Sequence, residues 1–184
     1  MGNVYFNGDN SNRIIYENSA TTYLNGLYFN GIYYESGTIC CLVKGTSILT
    51  LNGYVNIEDL QKGTKVYTLN EETLQIEIGE VVNHGGHLET EKELYKITIE
   101  ENQIGATYNH KFYCKVSLEN EAQWLETQNI QKGYYLYSSN QGWIQIDNIE
   151  TYKEEIWVYD IDIEENDNYF VGNLNICAHN ASCK

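Results

Sequence analysis

The stretch Cys41-Leu42-Val43-Lys44-Gly45-Thr46-Ser47-Ile48-Leu49-Thr50 places a cysteine directly before a glycine turn and a short run of strand-forming residues. A thiol at this position can attack the carbonyl carbon of Cys40 and replace an amide by a thioester. At the far end of a 140-residue segment (41 to 180 inclusive), His179-Asn180 precedes Ala181. A well-oriented asparagine amide can cyclise onto its own backbone carbonyl and break the following peptide bond. The segment is therefore predicted to have its own chain as substrate.

The composition limits the partners that this chain is expected to have. Its 184 residues carry a formal net charge of −15 with a sequence pI near 4.5, and 42% of them are hydrophobic, which is ample for one domain with an appendage. Binding to a phosphate backbone depends on Lys and Arg that release counterions. We therefore expect no nucleic-acid partner and no homing endonuclease activity. The sequence has no run of about 18 apolar residues to span a bilayer, so we expect no membrane partner.

Five cysteines, at positions 40, 41, 114, 177 and 183, form neither a CxxC set nor an even disulfide framework. We therefore expect a cytoplasmic, reducing location while the chain acts on itself, within a host protein that is surface-exposed or secreted. Cys40 and Cys41 would form only a strained vicinal disulfide, so two free thiols are predicted. The alternative is an oxidative lock between Cys41 and another cysteine, because only a free thiolate can attack. Cys177 is predicted to be a small buried residue near the site rather than a redox partner.

Residues 1–40 are predicted to be a flanking segment, because they are rich in Asn, Gly and Tyr. Tyr5-Phe6-Asn7-Gly8 is echoed by Tyr28-Phe29-Asn30-Gly31, and Asn25-Gly26 adds another Asn-Gly pair. Asn-Gly favours two-residue hairpin turns because both residues tolerate positive φ, so short aromatic β-hairpins are predicted. The segment is either the end of an upstream host protein or a strand-forming extension that packs on the domain.

From residue 41 onward, short strands separated by turns predict an all-β domain. The predicted strands include residues 47–51, 65–69, 74–82 and 94–100, with a turn at Asn52-Gly53. Short helices are predicted at residues 56–61 and 121–131, where Ile57-Glu58-Asp59-Leu60 and Trp124-Leu125 each fit an amphipathic turn. These two segments resemble each other, since each ends in Gln-Lys-Gly before a Tyr-containing strand. The echo indicates an internal repeat.

Four blocks of sequence resemble those of inteins and other Hint domains, in the same order. The opening block surrounds Cys41. Thr107-Tyr108-Asn109-His110 resembles the Thr-x-x-His motif, Val158-Tyr159-Asp160-Ile161-Asp162-Ile163 resembles the strand with a late aspartate, and Asn168-Tyr169-Phe170-Val171-Gly172 with Ala178-His179-Asn180 resembles the closing block. Each block alone occurs by chance in many proteins, but the four together are specific. The resemblance implies a Hint fold, a horseshoe-like, twisted all-β domain with pseudo-two-fold internal symmetry.

The resemblance also implies roles for residues at the upstream junction. Cys41 would attack the Cys40 carbonyl, Thr107 would hydrogen-bond the carbonyl or amide of the scissile bond, and His110 would give a proton to the Cys41 nitrogen. A histidine suits this role because its pKa lies near the operating pH. Asp160 would take the thiol proton or stabilise the tetrahedral intermediate, for which burial must raise its pKa. Its neighbour Asp162 is predicted to be an ordinary strand residue.

At the downstream junction, the resemblance implies cyclisation of Asn180 with support from His179. Many family members carry another histidine just before the Asn-Tyr or Asn-Phe of the closing block, where this chain has Asp167. His84 or His87 is therefore a candidate substitute. No cofactor is implied.

Ala181 is the largest departure from splicing inteins, which need Cys, Ser or Thr there to accept the upstream chain. A methyl group cannot attack, and the arrangement is similar to bacterial intein-like domains and to Hint domains that precede polymorphic toxins, which chiefly cleave. The resemblance thus implies autoprocessing by residues 41–180, with residues 181–184 as a stub. Water or an external thiol would release residues 1–40, with minor splicing. An alanine introduced at position 181 to trap a precursor is the alternative explanation.

Two other interpretations follow from the same sequence. The motif His84-x-x-His87, with His110 and Cys114, supplies four side chains that can bind a metal ion. The spacing is not typical of zinc sites, and Gly85-Gly86 indicates a flexible loop. The second is a catalytically decayed Hint domain that acts as an acidic, Tyr-rich β binding or structural module, since the chain has 17 Tyr.

Overall fold

The computed structural model describes residues 4–6, 14–16, 26–29, 32–35, 40–90 and 92–179. The chain divides into two compact units, Met1–Ile39 and Cys40–Lys184, so the second begins one residue before the predicted boundary. Within the described residues, no helix has the length and hydrophobicity needed to cross a membrane.

The first unit contains two antiparallel strand pairs. They are β1 (Val4–Phe6) with β2 (Ile14–Tyr16) and β3 (Gly26–Phe29) with β4 (Ile32–Glu35). Phe29 pairs with Ile32, and the predicted Asn30-Gly31 turn lies outside the described residues. Gly26 belongs to β3 and pairs with Glu35, so it is a strand residue and not the predicted turn residue. Asn25 and Asn7-Gly8 lie outside the described residues.

The second unit is built on one sheet of 15 strands, which confirms the all-β prediction. The strands are β5 (Leu42–Val43), β6 (Ser47–Thr50), β7 (Gly53–Asn56), β8 (Lys65–Asn70), β9 (Gln75–Glu89), β10 (Leu94–Ile99), β11 (Asn102–Thr107), β12 (Lys111–Lys115), β13 (Gln123–Glu126), β14 (Tyr135–Ser138), β15 (Gly142–Gln145), β16 (Asn148–Tyr152), β17 (Ile156–Ile163), β18 (Asn168–Val171) and β19 (Ile176–His179). Two 3-10 helices, Ile57–Asp59 and Thr127–Asn129, occupy the predicted helical segments. The prediction for residues 121–131 was wrong over its first half, because Trp124 and Leu125 lie in β13 and pair with β12.

The strand order forces the sheet to curl. Along the sheet the order is β13-β12-β14-β19-β18-β6-β8-β9-β17-β5-β11-β10-β16, so β11 and β12 lie near opposite ends. Only residues 108–110 join these two strands. Such a connection spans at most about 14 Å, because an extended chain advances about 3.5 Å per residue. The two ends of the sheet therefore meet at Thr107 and His110.

The two halves of the sheet repeat one supersecondary unit. In each half, a 3-10 helix is followed by a Lys-Gly turn whose glycine has positive φ, +88° at Gly63 and +90° at Gly133, where glycine is favoured. Each turn also exchanges two backbone hydrogen bonds with one partner residue, which is Val81 in β9 or Ile146 just after β15. In one half, the Gly63 N–H donates to the Val81 carbonyl (2.8 Å) and the Val81 N–H donates to the Thr64 carbonyl (2.9 Å). In the other half, the Gly133 N–H donates to the Ile146 carbonyl (2.9 Å) and the Ile146 N–H donates to the Tyr134 carbonyl (2.8 Å). This matching pattern confirms the predicted internal repeat.

Asn168 fastens β18 to β8 through its buried side chain. Its Oδ1 accepts a hydrogen bond from the Leu69 N–H (2.7 Å), and its Nδ2 donates to the carbonyls of Leu69 and Asn166 (both 2.8 Å). Both strands carry core residues, since Leu69 and the neighbouring Phe170 are fully buried. The amide thus satisfies backbone groups where the two strands approach without a regular ladder.

Asn168→Ala should lower the free energy of unfolding by about 3 kcal/mol, because it leaves two buried backbone groups of Leu69 and the part-buried Asn166 carbonyl without these partners. Urea denaturation of the intact chain followed by tryptophan fluorescence measures this change. Asn173→Ala, which removes an exposed amide with a single 3.5 Å bond to Asn102, is the matched control and should change stability by less than about 0.5 kcal/mol. Equal losses in both variants would contradict the fastening role of Asn168.

Candidate active site

Cys41 lies between the two strands that carry Thr107 and Asp160. The adjacent residue Leu42 pairs with Ala106 of β11 on one side and with Tyr159 of β17 on the other. This register places Thr107 and Asp160 on either side of the fully buried Cys41. The fold therefore brings together three candidate residues that are 119 positions apart at the extremes (41 to 160).

Thr107 holds the backbone of Cys41 at two points. The Cys41 N–H, which belongs to the Cys40–Cys41 peptide bond, donates to Thr107 Oγ1 at 2.9 Å, and the Thr107 N–H donates to the Cys41 carbonyl at 2.9 Å. The Thr107 hydroxyl has one hydrogen, which fits Asn109 Oδ1 at 3.0 Å better than the Cys41 carbonyl at 3.3 Å. Asn109 thus orients the hydroxyl so that its lone pairs face the amide of the junction.

His110 is completely buried beside the carbonyl of Cys40. Burial lowers its pKa to about 3, although the Cys40 carbonyl acts in the opposite direction. Among the described residues, neither ring nitrogen has a partner with hydrogen-bond geometry, so the carbonyl influences the ring without a formed bond. Thr127 Oγ1 donates to the His110 carbonyl at 2.8 Å and fixes its backbone. The imidazole is therefore neutral at neutral pH and close to the carbonyl of the junction.

Asp160 is a buried acid whose protonated form is favoured by the site. Burial raises its pKa well above the ordinary value, although the Ile161 N–H donates to its Oδ1 at 2.8 Å and favours the ionised form. Its Oδ2 has no hydrogen-bond partner within residues 40–90 and 92–179. Burial also raises the pKa of the Cys41 thiol, and Asp160 raises it further when it is ionised. Burial thus favours the protonated form of both the thiol and the carboxyl.

Glu89 and Lys92 also lie within electrostatic reach of the Cys41 thiol, and sequence reasoning missed both. Glu89 raises the pKa of Cys41, whereas Lys92 lowers it. The Glu89 carboxylate caps the turn after β9, where its Oε1 accepts from the N–H groups of Thr90 (3.0 Å) and Lys92 (3.1 Å). No motif marks these residues, because only the turn geometry brings them near the thiol.

His179 lies near His110 at the other end of the predicted segment. Its ring packs edge-on against Trp124, with centroids 4.8 Å apart. A charge on His179 lowers the pKa of His110, so the two imidazoles share one electrostatic environment. Asn180 and Ala181, which complete the downstream junction in the sequence, lie outside the described residues.

The cysteines differ from the prediction at one position. Among the described cysteines, Cys41, Cys114 and Cys177 are free and buried. Cys40 is disulfide-bonded, so the prediction of a free Cys40 thiol was wrong, but its partner is not Cys41. The predicted nucleophile therefore keeps its thiol. Cys183 lies outside the described residues.

His84 and His87 lie in the long strand β9, so the flexible loop indicated by Gly85-Gly86 was wrong. The glycine is required by packing, because a Cβ on Gly86 would lie 2.5 Å from the ring of Tyr159. His84 stacks on that same ring, on the sheet face opposite Asp160, at a centroid distance of 5.7 Å. His87 lies on the Asp160 face, and its Nε2 is 3.6 Å from the Glu89 carboxylate. Only His87 is therefore placed to assist the site.

The described residues do not assemble a cluster of three or more metal ligands. Residues three apart on a strand point to opposite faces, which separates the two histidines of the His-x-x-His motif. Asp162 has a structural contact, since it accepts a hydrogen bond from Asn83 at 3.2 Å. Asp167 is exposed in a turn with φ of +53°, so it does not occupy the buried site.

Comparisons with known proteins agree with this architecture. The family model of the pretoxin HINT domain matches residues 47–181. The solution structure of a bacterial intein-like domain from Clostridium thermocellum superposes with a TM-score of 0.68 at 28% identity, over 76% of this chain and 98% of that one. No curated protein sequence matches significantly.

Two inteins share the fold at lower identity. The gp41-1 intein gives a TM-score of 0.60 at 23% identity, over 77% of this chain and 98% of that one. A DnaB intein from Synechocystis sp. PCC 6803 gives 0.61 at 20% identity, with the same coverage. The expected Hint fold is thereby confirmed.

Asp160→Asn should become more stable relative to the unchanged chain as the pH rises. A carboxyl with a raised pKa in the folded state binds its proton more tightly than in the unfolded state, so the folded chain loses stability as pH rises from about 4 through the raised value. Asparagine removes this loss. Urea midpoints at pH 4, 6 and 8 measure the trend.

Asp162→Asn is the matched control, since it removes a charge from the same strand face at a half-buried position. It should reproduce only a small part of the stabilisation at high pH, because burial raises the pKa of Asp160 more than the Asp162 charge does. A stability difference between Asp160→Asn and the unchanged chain that is constant with pH would contradict an uncharged, buried Asp160.

Proposed function

This chain belongs to the pretoxin Hint domain family, and we propose that it cleaves its own polypeptide at Cys40–Cys41 and Asn180–Ala181. The observation that carries the proposal is the position of Cys41, whose amide is held by Thr107 while Asp160 flanks the thiol. His110 beside the Cys40 carbonyl completes the set. Residues 41–180 form the processing domain, and the flanking segments are its substrate.

At the upstream junction, the Cys41 thiol attacks the Cys40 carbonyl carbon. The thiol proton leaves first to a basic group, for which Asp160 in its ionised form is the nearest candidate. The sulfur–carbon bond forms, the carbon–nitrogen bond of the amide breaks, and the Cys41 nitrogen takes up a proton. Thr107 Oγ1 already accepts a hydrogen bond from that nitrogen, so it favours the amine as it gains positive charge. The product is a thioester between the Cys40 carbonyl and the Cys41 sulfur.

His110 supplies the proton to the departing nitrogen. Its pKa of about 3 keeps it neutral in the resting site, so it must be protonated during the reaction. Negative charge on the Cys40 oxygen of the tetrahedral intermediate favours this protonation, because an opposite charge nearby raises the pKa of an imidazole. The acid is thus available when the leaving group needs it.

At the downstream junction, the Asn180 side-chain nitrogen attacks its own backbone carbonyl carbon. A succinimide forms at residue 180, the bond to Ala181 breaks, and the amine of Ala181 takes up a proton. His179 assists by polarising the carbonyl or protonating the amine. Trp124 supports this role because it packs against the His179 ring and limits its orientation.

The absence of a nucleophile on Ala181 favours cleavage over splicing. Without Cys, Ser or Thr at this position, the thioester cannot be transferred to the downstream chain by the usual exchange. Water or an external thiol releases residues 1–40 instead, and splicing through a freed amine is a minor outcome. The domain thus separates a downstream segment from its carrier.

Incubation with dithiothreitol should release residues 1–40 from the unchanged chain. Cys41→Ala should abolish this release, and His110→Ala should slow it by about 100-fold, a usual value for loss of a general acid. Intact-mass spectrometry over time measures both. Cys114→Ala is the control, because it removes another free buried thiol away from the junction. Release from Cys41→Ala at the unchanged rate would refute the thioester.

Loss of residues 181–184 should depend on the other junction. Asn180→Ala should abolish it, and His179→Gln should slow it by about 100-fold without changing thiol-induced release of residues 1–40. His84→Gln is the control, since that ring stacks on Tyr159 on the opposite face of the sheet. Unchanged masses in every version would favour the decayed, binding-module alternative over autoprocessing.

A further inference from the structure

Tyr169 carries a buried hydroxyl that the mechanism above does not use. It lies in β18 opposite Ala178, and its side chain has no solvent exposure. In the part of the chain that the structure describes, this hydroxyl finds no hydrogen-bond partner. A buried phenol normally pairs its O–H group, so an unpaired one calls for an explanation.

Tyr169 belongs to the same cluster of buried core residues as Leu42 and Tyr159, which are adjacent in the sequence to Cys41 and Asp160. Burial raises the pKa of Tyr169 well above its usual value, and negative charges on Asp160 and Cys41 raise it further, with a contribution from Cys177. These charges act on the phenol because it lies close to both groups. The raised pKa favours the protonated phenol, which is a hydrogen-bond donor.

The site thus holds an unpaired donor and an unpaired acceptor. Asp160 Oδ2 is the second buried oxygen without a hydrogen-bond partner among the described residues. Burial favours the protonated forms of Asp160 and Cys41, and a protonated group does not demand a strong donor. When one proton leaves the pair, a single negative charge resides on the carboxylate or on the sulfur. A phenol O–H within reach would then form a charge-assisted hydrogen bond.

We propose that Tyr169 is a catalytic residue whose hydroxyl donates a hydrogen bond to the negative charge on the Asp160–Cys41 pair during attack on Cys40. The inference rests on the proposed function. The reactive pair holds one proton, which passes from the thiol to Asp160 as the thiolate attacks and returns to the chain on the Cys41 nitrogen, directly or through His110. Tyr169 keeps its own proton throughout. It stabilises the anion without changing the balance of the step.

Packing alone does not account for the hydroxyl. Phe112 and Phe170 are also fully buried and show that the core accommodates a phenyl ring. Phenylalanine at position 169 would fill the same space without burying an unpaired O–H group. The hydroxyl therefore has a role in a charged state of the site that differs from the resting one.

The test is Tyr169→Phe in the otherwise unchanged chain. Thiol-induced release of residues 1–40 should slow by about 10- to 100-fold, the usual effect of losing one hydrogen bond to a charged group. The rise of its rate with pH should move to higher pH, because the anionic pair is less stable without the donor. Stability in urea at pH 5 should be unchanged or higher, since the lost hydroxyl had no partner. Intact-mass kinetics between pH 5 and 9 provide both readouts.

Tyr152→Phe is the matched control. Its ring packs beside the Lys96 ammonium at 5.1 Å on strand β16, and Leu94 lies between it and Thr107 in the sheet. This variant should keep both the rate and its pH profile. An unchanged rate and an unchanged pH profile of release in Tyr169→Phe would overturn the proposal. A second result would also overturn it: both cleavages slow equally, stability in urea is lost, and the pH profile does not move. That result would indicate that the hydroxyl contributes only to packing.

A second readout separates this inference from the proposed function. If the unchanged chain releases no fragment, the proposed function fails, but the hydrogen bond to ionised Asp160 can still be measured. Tyr169→Phe should then raise the pKa of Asp160 further. The loss of stability with rising pH should therefore extend to a higher pH than in the unchanged chain. No difference between the two chains in the pH dependence of urea midpoints would overturn the inference. Asp160→Asn with Tyr169→Phe should abolish the difference.

Discussion

The three-residue connection between β11 and β12 is the constraint on which the domain depends. These strands lie near opposite ends of the strand order, yet residues 108–110 must bridge them. Because this connection is short, the sheet must curl until its ends meet. Thr107 and His110 lie at the two ends of this connection, so both approach the Cys40–Cys41 peptide bond. The closure that completes the fold also assembles the site, so fold and chemistry share one structural requirement.

Closure places the site in the core, and burial then sets the protonation states. Cys41, His110 and Asp160 are buried, and burial favours the neutral form of each because a charged form would be poorly solvated. A neutral thiol is a weak nucleophile. The proposed reaction therefore requires one proton to leave and the remaining charge to be stabilised. The unpaired oxygens of Asp160 and Tyr169 fit our proposal that these groups serve the charged state of the site rather than the resting one.

Sequence reasoning reached the architecture because periodicity and turn chemistry are local. Alternation marked the strands, and the two Gln-Lys-Gly segments marked a repeat that the matching hydrogen bonds at Gly63 and Gly133 confirm. Sequence reasoning failed where contacts between residues distant in sequence determine the local structure. Gly85-Gly86 suggested a loop, but Gly86 is required for Tyr159 to pack on β9. Glu89 escaped notice, and Tyr169 was recognised only as part of the closing block, because their proximity to Cys41 depends on how distant strands curl, which no short motif records.

His110 and His179 are electrostatically coupled, because a charge on His179 lowers the pKa of His110. In the proposed reaction each imidazole serves a different bond, so a charge placed on His179 opposes the His110 cation that the upstream step requires. Negative charge on the Cys40 oxygen of the proposed intermediate acts in the opposite direction, because it favours the His110 cation. Its decay into the thioester removes that effect. The proposed chemistry at one junction is therefore sensitive to the charge at the other, without any movement of the sheet.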